Sequence, residues 1–275
     1  MTQHIKNLIL DMDGVLWRGD TPMPDLVDFI TTIQQLGLGI ALATNNAAKT
    51  PTQYIAKLAG FGIHTIPEEQ ILTSAEATAS YLSRELEEGA SVYIIGGDGI
   101  HHAFRRRGYR ILTTEQAYHG ASAAVVVVGF YRHITYDDLA MGCHLILNGA
   151  KFVGTNPDVT FPHELGLLPG AGATLAFLQA ATGIEPMVIG KPGPIMFEEA
   201  LQRLGGSTAD TVMIGDRLNT DIAGGKGAGL TTFMVLTGIS QTADLPHSPI
   251  QPDHNFENLS AIAQALQNGR LPHNP

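Results

Sequence analysis

Cysteine is nearly absent from this sequence, which has a single one, Cys143, in 275 residues. One cysteine excludes an internal disulfide and a cysteine-rich metal site, as is typical of a reducing compartment. Long apolar runs are also missing. The stretch "AAVVVV" at 123–128 is far too short to cross a bilayer, and the apolar run within the N-terminal "MTQHIKNLIL" is too short for a secretory signal. These absences predict a cytoplasmic protein that has no membrane partner.

Positive charge is scarce as well, since 16 Lys and Arg face 26 Asp and Glu for a formal net charge of −10. Nucleic-acid binding depends on many Lys and Arg contacts to phosphates, so we expect no nucleic-acid partner. The densest basic run is Arg105 to Arg107 with Arg110 nearby. It is either the solvated face of a helix or a patch that attracts an anionic substrate, and the sequence leaves both readings open.

Short apolar runs that alternate with longer stretches of helical spacing are the main pattern present. Helical spacing covers 24–36 and 194–204, and a final helix is expected near 259–267. Buried parallel strands produce such short apolar runs between helices. The predicted fold is therefore α/β, with a doubly wound parallel sheet. Seven runs end just before Asp11, Thr44, Gly96, Gly129, Gly190, Gly215 and Thr237.

Chemistry-bearing residues follow four of these runs. In a doubly wound sheet, ligands bind at the carboxyl ends of the strands, so residues there are candidates for a site. Each signal alone is weak, because Asp-Gly is a common turn and Gly-Asp is often a helix cap. Together they indicate a reaction centre. The candidates are Asp11, Asp13 and Gly14; Thr44, Asn45 and Asn46; Lys191; and Asp216 with Asp221.

Four carboxylates that converge at one sheet edge need compensating positive charge. Two unit charges about 4 Å apart repel by roughly 4 kcal/mol at an effective dielectric constant near 20. Lys191 supplies one positive charge, and a divalent cation with oxygen ligands would supply the rest. Mg²⁺ is the predicted cofactor, because it takes one or two carboxylates together with waters and a substrate phosphate.

A phosphate is the ligand that best fits a lysine, a hydroxyl and glycine amides around a carboxylate. Thr44, Lys191 and the amides near Gly14 would hold the phosphate oxygens as charge develops during transfer. An aspartate can attack phosphorus and form an aspartyl-phosphate. The second aspartate, two residues on, can give a proton to the leaving oxygen and later take one from water.

These segments resemble the four ordered motifs of the haloacid dehalogenase (HAD) superfamily of phosphatases. The matching segments are "LILDMDGVL", "ATN", "GKP" and "GDRLNTDI". The resemblance implies that Asp11 is the nucleophile, Asp13 the general acid and base, and Thr44 a phosphate-binding residue. It implies further that Lys191 neutralises charge. The metal would be held by Asp11, Asp216 and the main-chain carbonyl of Asp13, with Asp221 supporting the metal site.

Motif spacing indicates where a second domain is inserted. Thr44 follows Asp11 by 33 positions, whereas Lys191 follows Thr44 by 147. This resembles the HAD class with an α/β cap after the second motif, in the NagD or p-nitrophenylphosphatase branch. Sugar-phosphate mutases of the superfamily usually carry their cap between the first two motifs. We therefore expect a Rossmann-like catalytic core at 1–79 and 181–275 and an α/β cap domain at 80–180.

The predicted cap contact with substrate is the segment "TNPDVTFPHELG" at 155–166, with His163 as the candidate side chain. Asn45 and Asn46 would lie nearer the phosphate, and Asn46 resembles a substrate contact of relatives with the same Asn-Asn pair. Relatives often pair through their caps, which implies a homodimer, although no residue of this sequence decides it.

The leading hypothesis from the sequence is a Mg²⁺-dependent phosphomonoester hydrolase that acts on a small phosphorylated metabolite through an aspartyl-phosphate. One alternative is a phosphotransferase or phosphomutase of the same superfamily. Another is a non-catalytic protein that binds a phosphometabolite. The substrate stays open among phosphoglycolate, pyridoxal phosphate, sugar phosphates and nucleotides.

Overall fold

The computed structural model describes residues 5–271 of the chain. Within that range, the strands are β1 (Asn7–Leu10), β2 (Trp17–Arg18), β3 (Thr21–Pro22), β4 (Gly39–Thr44), β5 (Ile71–Thr73), β6 (Ser91–Ile95), β7 (Arg110–Leu112), β8 (Val125–Val128), β9 (Lys151–Gly154), β10 (Thr160–His163), β11 (Gly166–Pro169), β12 (Met187–Val188), β13 (Thr211–Gly215), β14 (Thr231–Val235) and β15 (His254–Phe256). The α-helices are α1 (Leu26–Gln35), α2 (Pro51–Gly60), α3 (Ser74–Leu82), α4 (Asp98–Arg106), α5 (Thr114–Tyr118), α6 (Tyr136–Leu147), α7 (Ala171–Thr182), α8 (Pro194–Leu204), α9 (Ala223–Gly227) and α10 (Leu259–Asn268).

Two compact units divide the described chain. The first unit comprises the chain up to Thr44, Pro51–Leu72 and the chain from Lys191 onward; the second comprises Asn45–Thr50 and Thr73–Gly190. Residues 73–79 and 181–190, which the motif spacing predicts to be part of the catalytic core, belong by their contacts to the second unit. The reason at the first boundary is packing, because α3 packs against α4. The functional division into core and cap stays a prediction.

A six-stranded sheet forms the centre of the first unit, in the order β15-β14-β13-β1-β4-β5. The strands from β15 to β4 run parallel. Every residue of β1 is buried, and helices such as α1, α8 and α10 cover the sheet. This burial on both faces explains why the run is apolar throughout rather than alternating.

A five-stranded sheet forms the second unit, in the order β12-β9-β8-β6-β7. All of its neighbouring strands pair in parallel. Its core lies where α6 and α7 pack on β8, a strand of four fully buried valines. A hairpin of β10 and β11 holds most of the predicted cap segment.

The predicted α/β fold class is confirmed, and each of the seven apolar runs contains a strand: β1, β4, β6, β8, β12, β13 and β14. The expected helices are α1, α8 and α10, each with bounds close to those expected. No helix in the described part of the chain is long and apolar enough to cross a membrane.

Candidate active site

Three neighbouring strands of the first unit bring the central candidates to one edge of the sheet. Residue Leu10 of β1 lies opposite Ile214 of β13 and Leu42 of β4. The residues that follow these positions are Asp11, Asp216 and Thr44, at the carboxyl ends of three parallel strands. The Asp11 amide continues the ladder by donating to the Ile214 carbonyl at 2.9 Å.

Lys191 is the positive centre of this site. Its ammonium nitrogen lies 2.5 Å from Asp11 Oδ1, 2.8 Å from Asp221 Oδ1 and 3.0 Å from the Ala43 carbonyl oxygen. The side chain is only 2% exposed. A lysine ammonium has three N–H donors, and the three acceptors match that number. Lys191 therefore fixes the orientation of Asp11 as well as neutralising charge.

Asp216 is held by the 237–240 loop, which follows β14. The Ile239 amide donates to Asp216 Oδ2 at 2.7 Å, and the Ser240 amide donates to the Asp216 carbonyl at 3.1 Å. A Cβ atom added at Gly238 or Gly14 would overlap the Asp216 carboxylate. Gly14 also has a φ of +91°, which L side chains rarely adopt. Glycine at these two positions leaves the space that the carboxylate occupies.

Asp221 fixes the turn that follows β13. Its Oδ2 accepts hydrogen bonds from the amides of Asp216, at 3.3 Å, and Arg217, at 3.1 Å, while Oδ1 faces Lys191. The residue lies in a short π-helical segment, Leu218–Ile222. Asp221 thus links the lysine to the backbone that carries Asp216.

Three carboxylates of this site could hold a cation. Ligand oxygens of Asp11, Asp216 and Asp221 lie within 4.8 Å of one another, and all three residues are buried. Asp216 Oδ1 is buried without a hydrogen-bond partner among the described residues. Leaving a buried carboxylate oxygen unpaired is costly, and a hard divalent cation with oxygen ligands would satisfy it. The residues present therefore fit the predicted Mg²⁺ site.

The pKa values show the excess of negative charge in this cluster. Burial raises the pKa of Asp216 to about 6, and the charge of Asp221 adds to that effect. Burial also raises the pKa of Asp11, against the opposing charge of Lys191. Burial alone would lower the pKa of Lys191, but Asp11 and Asp221 outweigh it and the net shift is upward. One buried ammonium does not compensate three carboxylates.

Asp13 and Gly14 lie in the turn that follows Asp11. The Asp13 side chain is exposed, and its Oδ1 accepts a hydrogen bond from the indole nitrogen of Trp17 at 2.8 Å. The Gly14 amide donates to the Trp17 carbonyl at 2.7 Å. The amide of Gly14 is thus engaged within the turn, which differs from the expectation that it faces a phosphate. The geometry shows a role for Gly14 that was not predicted, which is the space it leaves for the Asp216 carboxylate.

Thr44 is buried at the end of β4, one residue after the Ala43 carbonyl that binds Lys191. Tyr54 of α2, which sequence reasoning missed, places its hydroxyl beside the Thr44 side chain. Burial first, and then the negative charge of Asp13, raise the pKa of Tyr54. The Tyr54 hydroxyl therefore lies near Thr44, Asp13 and Asp11.

Other predicted residues belong to the second unit. The Asn45 carbonyl accepts hydrogen bonds from Ser74 Oγ at 2.7 Å and Asn156 Nδ2 at 2.9 Å, and Asn46 Oδ1 accepts from the Ala48 amide at 2.9 Å. The side chain of His163 lies outside the described residues. The predicted substrate contacts of Asn45, Asn46 and His163 stay predictions.

The basic run is part of a helix and the turn after it. Arg105 and Arg106 close α4, and Arg107 pairs with the buried Glu76 at 2.9 Å. Arg110 donates to Ser91 Oγ at 2.9 Å. Arg107 and Arg110 are thus engaged with neighbours in the second unit.

The 237–240 loop contributes to the site although the sequence predicts only the apolar run before Thr237 and no site residue after it. Because β14 lies beside β13, its carboxyl end reaches the same edge of the sheet, and the strand-end rule would have included it. Thr237 also ties the loop to the Asp11 turn, since its hydroxyl donates to the Gly14 carbonyl at 2.8 Å.

Two family models match most of the first unit and part of the second. One, described as haloacid dehalogenase-like hydrolase, matches residues 8–110, and the other, described as HAD-hydrolase-like, matches residues 188–262. The 5′-nucleotidase YutF of Bacillus subtilis is 37% identical over 255 residues, which cover 93% of this chain and 96% of the relative.

The chain is also similar to solved structures of phosphatases. The p-nitrophenyl phosphatase from Archaeoglobus fulgidus superposes with a TM-score of 0.88 at 32% identity, covering 95% of this chain and 99% of that one. A glycerol phosphate phosphatase from Mycobacterium tuberculosis, solved in complex with magnesium, superposes with a TM-score of 0.85 at 32% identity. That match covers 96% of this chain and 79% of the other.

A first prediction concerns pH and stability. The pKa of Asp216 is 3.8 in its ordinary state and about 6 when folded, so the metal-free folded protein binds the extra proton and loses stability as pH rises through that interval. A bound cation favours the ionised form. Mg²⁺ should therefore raise the melting temperature more at about pH 7.5 than at about pH 5. At about 100 times its Kd, the stabilisation should reach about 2.7 kcal/mol. Equal shifts at both pH values would contradict this account.

A second prediction concerns the glycine beside Asp216. Gly238→Ala should displace the Asp216 carboxylate and weaken Mg²⁺ binding by about 10-fold to 100-fold, as loss of supporting contacts does at metal sites. Calorimetric titration measures the affinity. The matched control is Gly227→Ala, where an added Cβ meets open space, and its affinity should equal that of the unchanged protein.

Proposed function

This chain belongs to the haloacid dehalogenase-like hydrolases and is a phosphoric monoester hydrolase, and we propose that it uses Mg²⁺ and an aspartyl-phosphate on Asp11. The observation that carries the proposal is the Lys191 ammonium, buried between Asp11 and Asp221. A lysine in this position orients one nucleophilic carboxylate and offsets the charge of a phosphate brought next to it.

In the first step, an Asp11 carboxylate oxygen attacks phosphorus, and the bond between phosphorus and the ester oxygen breaks. Asp13 gives its proton to that leaving oxygen, so the alcohol departs neutral. Thr44, at the end of the neighbouring strand, donates its hydroxyl hydrogen to a phosphate oxygen. These residues come from two adjacent strand ends, β1 and β4.

In the second step, water attacks the phosphorus of the aspartyl-phosphate while Asp13 takes a proton from it. The bond between phosphorus and the Asp11 oxygen breaks, which releases inorganic phosphate and restores the carboxylate. Lys191 holds the restored carboxylate in the same orientation for the next cycle, because it contacts Asp11 directly.

The residues that would hold Mg²⁺ are Asp11, Asp216 and the main-chain carbonyl of Asp13, with Asp221 supporting them. When bound, the ion supplies positive charge that offsets the carboxylates and the phosphate. Asp216 Oδ1, which is buried and has no hydrogen-bond partner within residues 5–271, supports this assignment.

We propose a small phosphorylated metabolite as the substrate. The names of similar proteins differ in substrate, since they include a 5′-nucleotidase, a p-nitrophenyl phosphatase and a glycerol phosphate phosphatase. These substrates share the phosphomonoester group, which is the group that Asp11 of the first unit would attack. A kcat/KM screen of nucleotides, sugar phosphates, phosphoglycolate and pyridoxal phosphate would identify the preferred ester. A cytoplasmic location and a homodimer formed through the second unit stay predictions.

Transfer of the phosphoryl group to a sugar hydroxyl is the alternative within the superfamily. The chain inserts its second unit after Thr44 rather than between Asp11 and Thr44, as the unit bounds show. That insertion point is unlike the usual mutase arrangement, so hydrolysis is the reaction we propose.

The nucleophile can be tested by one substitution. Asp11→Asn should lower turnover of p-nitrophenyl phosphate by at least about a thousandfold, because an amide oxygen is a poor nucleophile. Mg²⁺ should still raise the melting temperature, since Asp216 and Asp221 remain. Asp28→Asn, at an exposed carboxylate in the first turn of α1, is the matched control and should keep full activity. Full activity of Asp11→Asn would overturn the mechanism.

The fate of the phosphoryl group provides a second test. Inorganic phosphate should form in a one-to-one ratio with p-nitrophenol, and the ratio should hold when glucose or glycerol is added as an acceptor. Phosphate release and nitrophenol absorbance, measured in the same reaction, give this ratio. A fall in phosphate yield with accumulation of a phosphorylated acceptor would show a phosphotransferase instead.

A further inference from the structure

The proton-transfer residue of the proposed mechanism is held by an aromatic side chain. Asp13 is exposed, and an exposed aspartate usually samples several rotamers. Here its Oδ1 accepts a hydrogen bond from the Trp17 indole nitrogen at 2.8 Å. Indole is a donor only, so this contact orients the carboxyl group with one oxygen engaged.

Trp17 is itself fixed within the first unit. Its side chain is fully buried, and its ring stacks on Tyr54 with a centroid distance of 6.1 Å and an interplanar angle of 20°. Phe61 lies 5.9 Å away on a tilted ring plane, and the Lys57 ammonium lies 4.6 Å from the ring centroid. A ring confined on these sides has little freedom to rotate, so its N–H points in one direction.

The backbone joins Trp17 to the same turn as Asp13. The Trp17 amide donates to the Met12 carbonyl at 3.3 Å, and the Trp17 carbonyl accepts from the Gly14 amide at 2.7 Å. Donor and acceptor of the indole–carboxylate bond are therefore four residues apart in a turn closed by main-chain bonds. The indole reaches Asp13 without any movement of the strand.

We propose that Trp17 is a positioning residue that orients the Asp13 carboxyl group through its indole N–H. This inference rests on the proposed function, because it gives Asp13 the proton-transfer role. With Oδ1 engaged by the indole, Oδ2 is the oxygen that exchanges a proton with the leaving group and then with water. A tryptophan that served only as core packing would support the fold without affecting that exchange.

The choice of leaving group separates these two roles. Phenolate, like the tyrosine side chain with a pKa of about 10, leaves poorly unless it is protonated, whereas p-nitrophenolate is a much weaker base and departs without help. Phenyl phosphate and p-nitrophenyl phosphate have nearly the same shape. Their kcat/KM values report steps up to leaving-group departure, so the ratio of the two values measures proton delivery by Asp13.

The first variant is Trp17→Phe, which keeps an aromatic ring and removes the N–H. For phenyl phosphate, kcat/KM should fall by about 100-fold, the scale of a misplaced catalytic group. For p-nitrophenyl phosphate, kcat/KM should fall by no more than about threefold, because little proton transfer is needed. Lys57→Met is the matched control: it removes the cation above the ring but keeps the indole N–H, and the ratio of the two kcat/KM values should not change.

A second replacement covers the case in which Trp17→Phe does not fold. Trp17 is the single tryptophan of the chain, so incorporation of 3-benzothienylalanine alters that residue alone. In this analogue a sulfur atom replaces the N–H while the size of the ring system is retained. The same selective loss with phenyl phosphate is expected.

The outcomes are distinct. Equal losses for both substrates in the Phe and benzothienyl proteins would show a purely structural tryptophan and overturn the inference, as would no loss for either. Absence of metal-dependent turnover in the unchanged protein would refute the proposed function instead. A selective loss that Lys57→Met does not reproduce would support the positioning role.

Discussion

The buried ammonium of Lys191 is the interaction on which the site depends. It contacts Asp11 and Asp221 together and the Ala43 carbonyl besides, so it joins residues from three segments far apart in sequence. Without this charge, three buried carboxylates would repel one another at close range in a weakly screening environment. Removing one partner of such a buried arrangement leaves the others uncompensated, which typically costs about 3–5 kcal/mol.

Lys191 alone does not balance the charge of the three carboxylates. The geometry around Asp216 indicates where further positive charge would bind. The Ile239 amide engages one oxygen of Asp216, while the other is buried and unpaired among the described residues. Gly14 and Gly238 leave space beside that carboxylate. A cation there would lower the raised pKa of Asp216, so metal binding and ionisation are coupled. The folded protein without a cation is therefore less stable at neutral pH, and the same carboxylate is placed to bind a cation.

The fold class and the central residues were predictable because strand ends follow a simple geometric rule. Parallel strands deliver their carboxyl ends to one edge, so Asp11, Thr44 and Asp216 could be grouped from apolar runs alone. Strand boundaries and edge strands were harder. The two-residue β12 takes its form from pairing with the distant strand β9, whereas β10 and β11 pair with each other in a local hairpin.

The sequence by itself determined which chemical groups are present and which of them follow the carboxyl ends of the strands. The local apolar pattern locates the strands, and their parallel direction brings those ends to one edge of the sheet. Only the tertiary structure decided how those groups are held. The Asp13 carboxyl turns toward Trp17, and the Gly14 amide is engaged inside its own turn rather than offered to a ligand. The Asp216 carboxylate accepts a hydrogen bond from the amide of Ile239, which lies 23 residues further along the chain. The reason is physical: a hydrogen bond depends on distances of a few tenths of an ångström between atoms. Packing among remote segments sets these distances, and no local pattern encodes them.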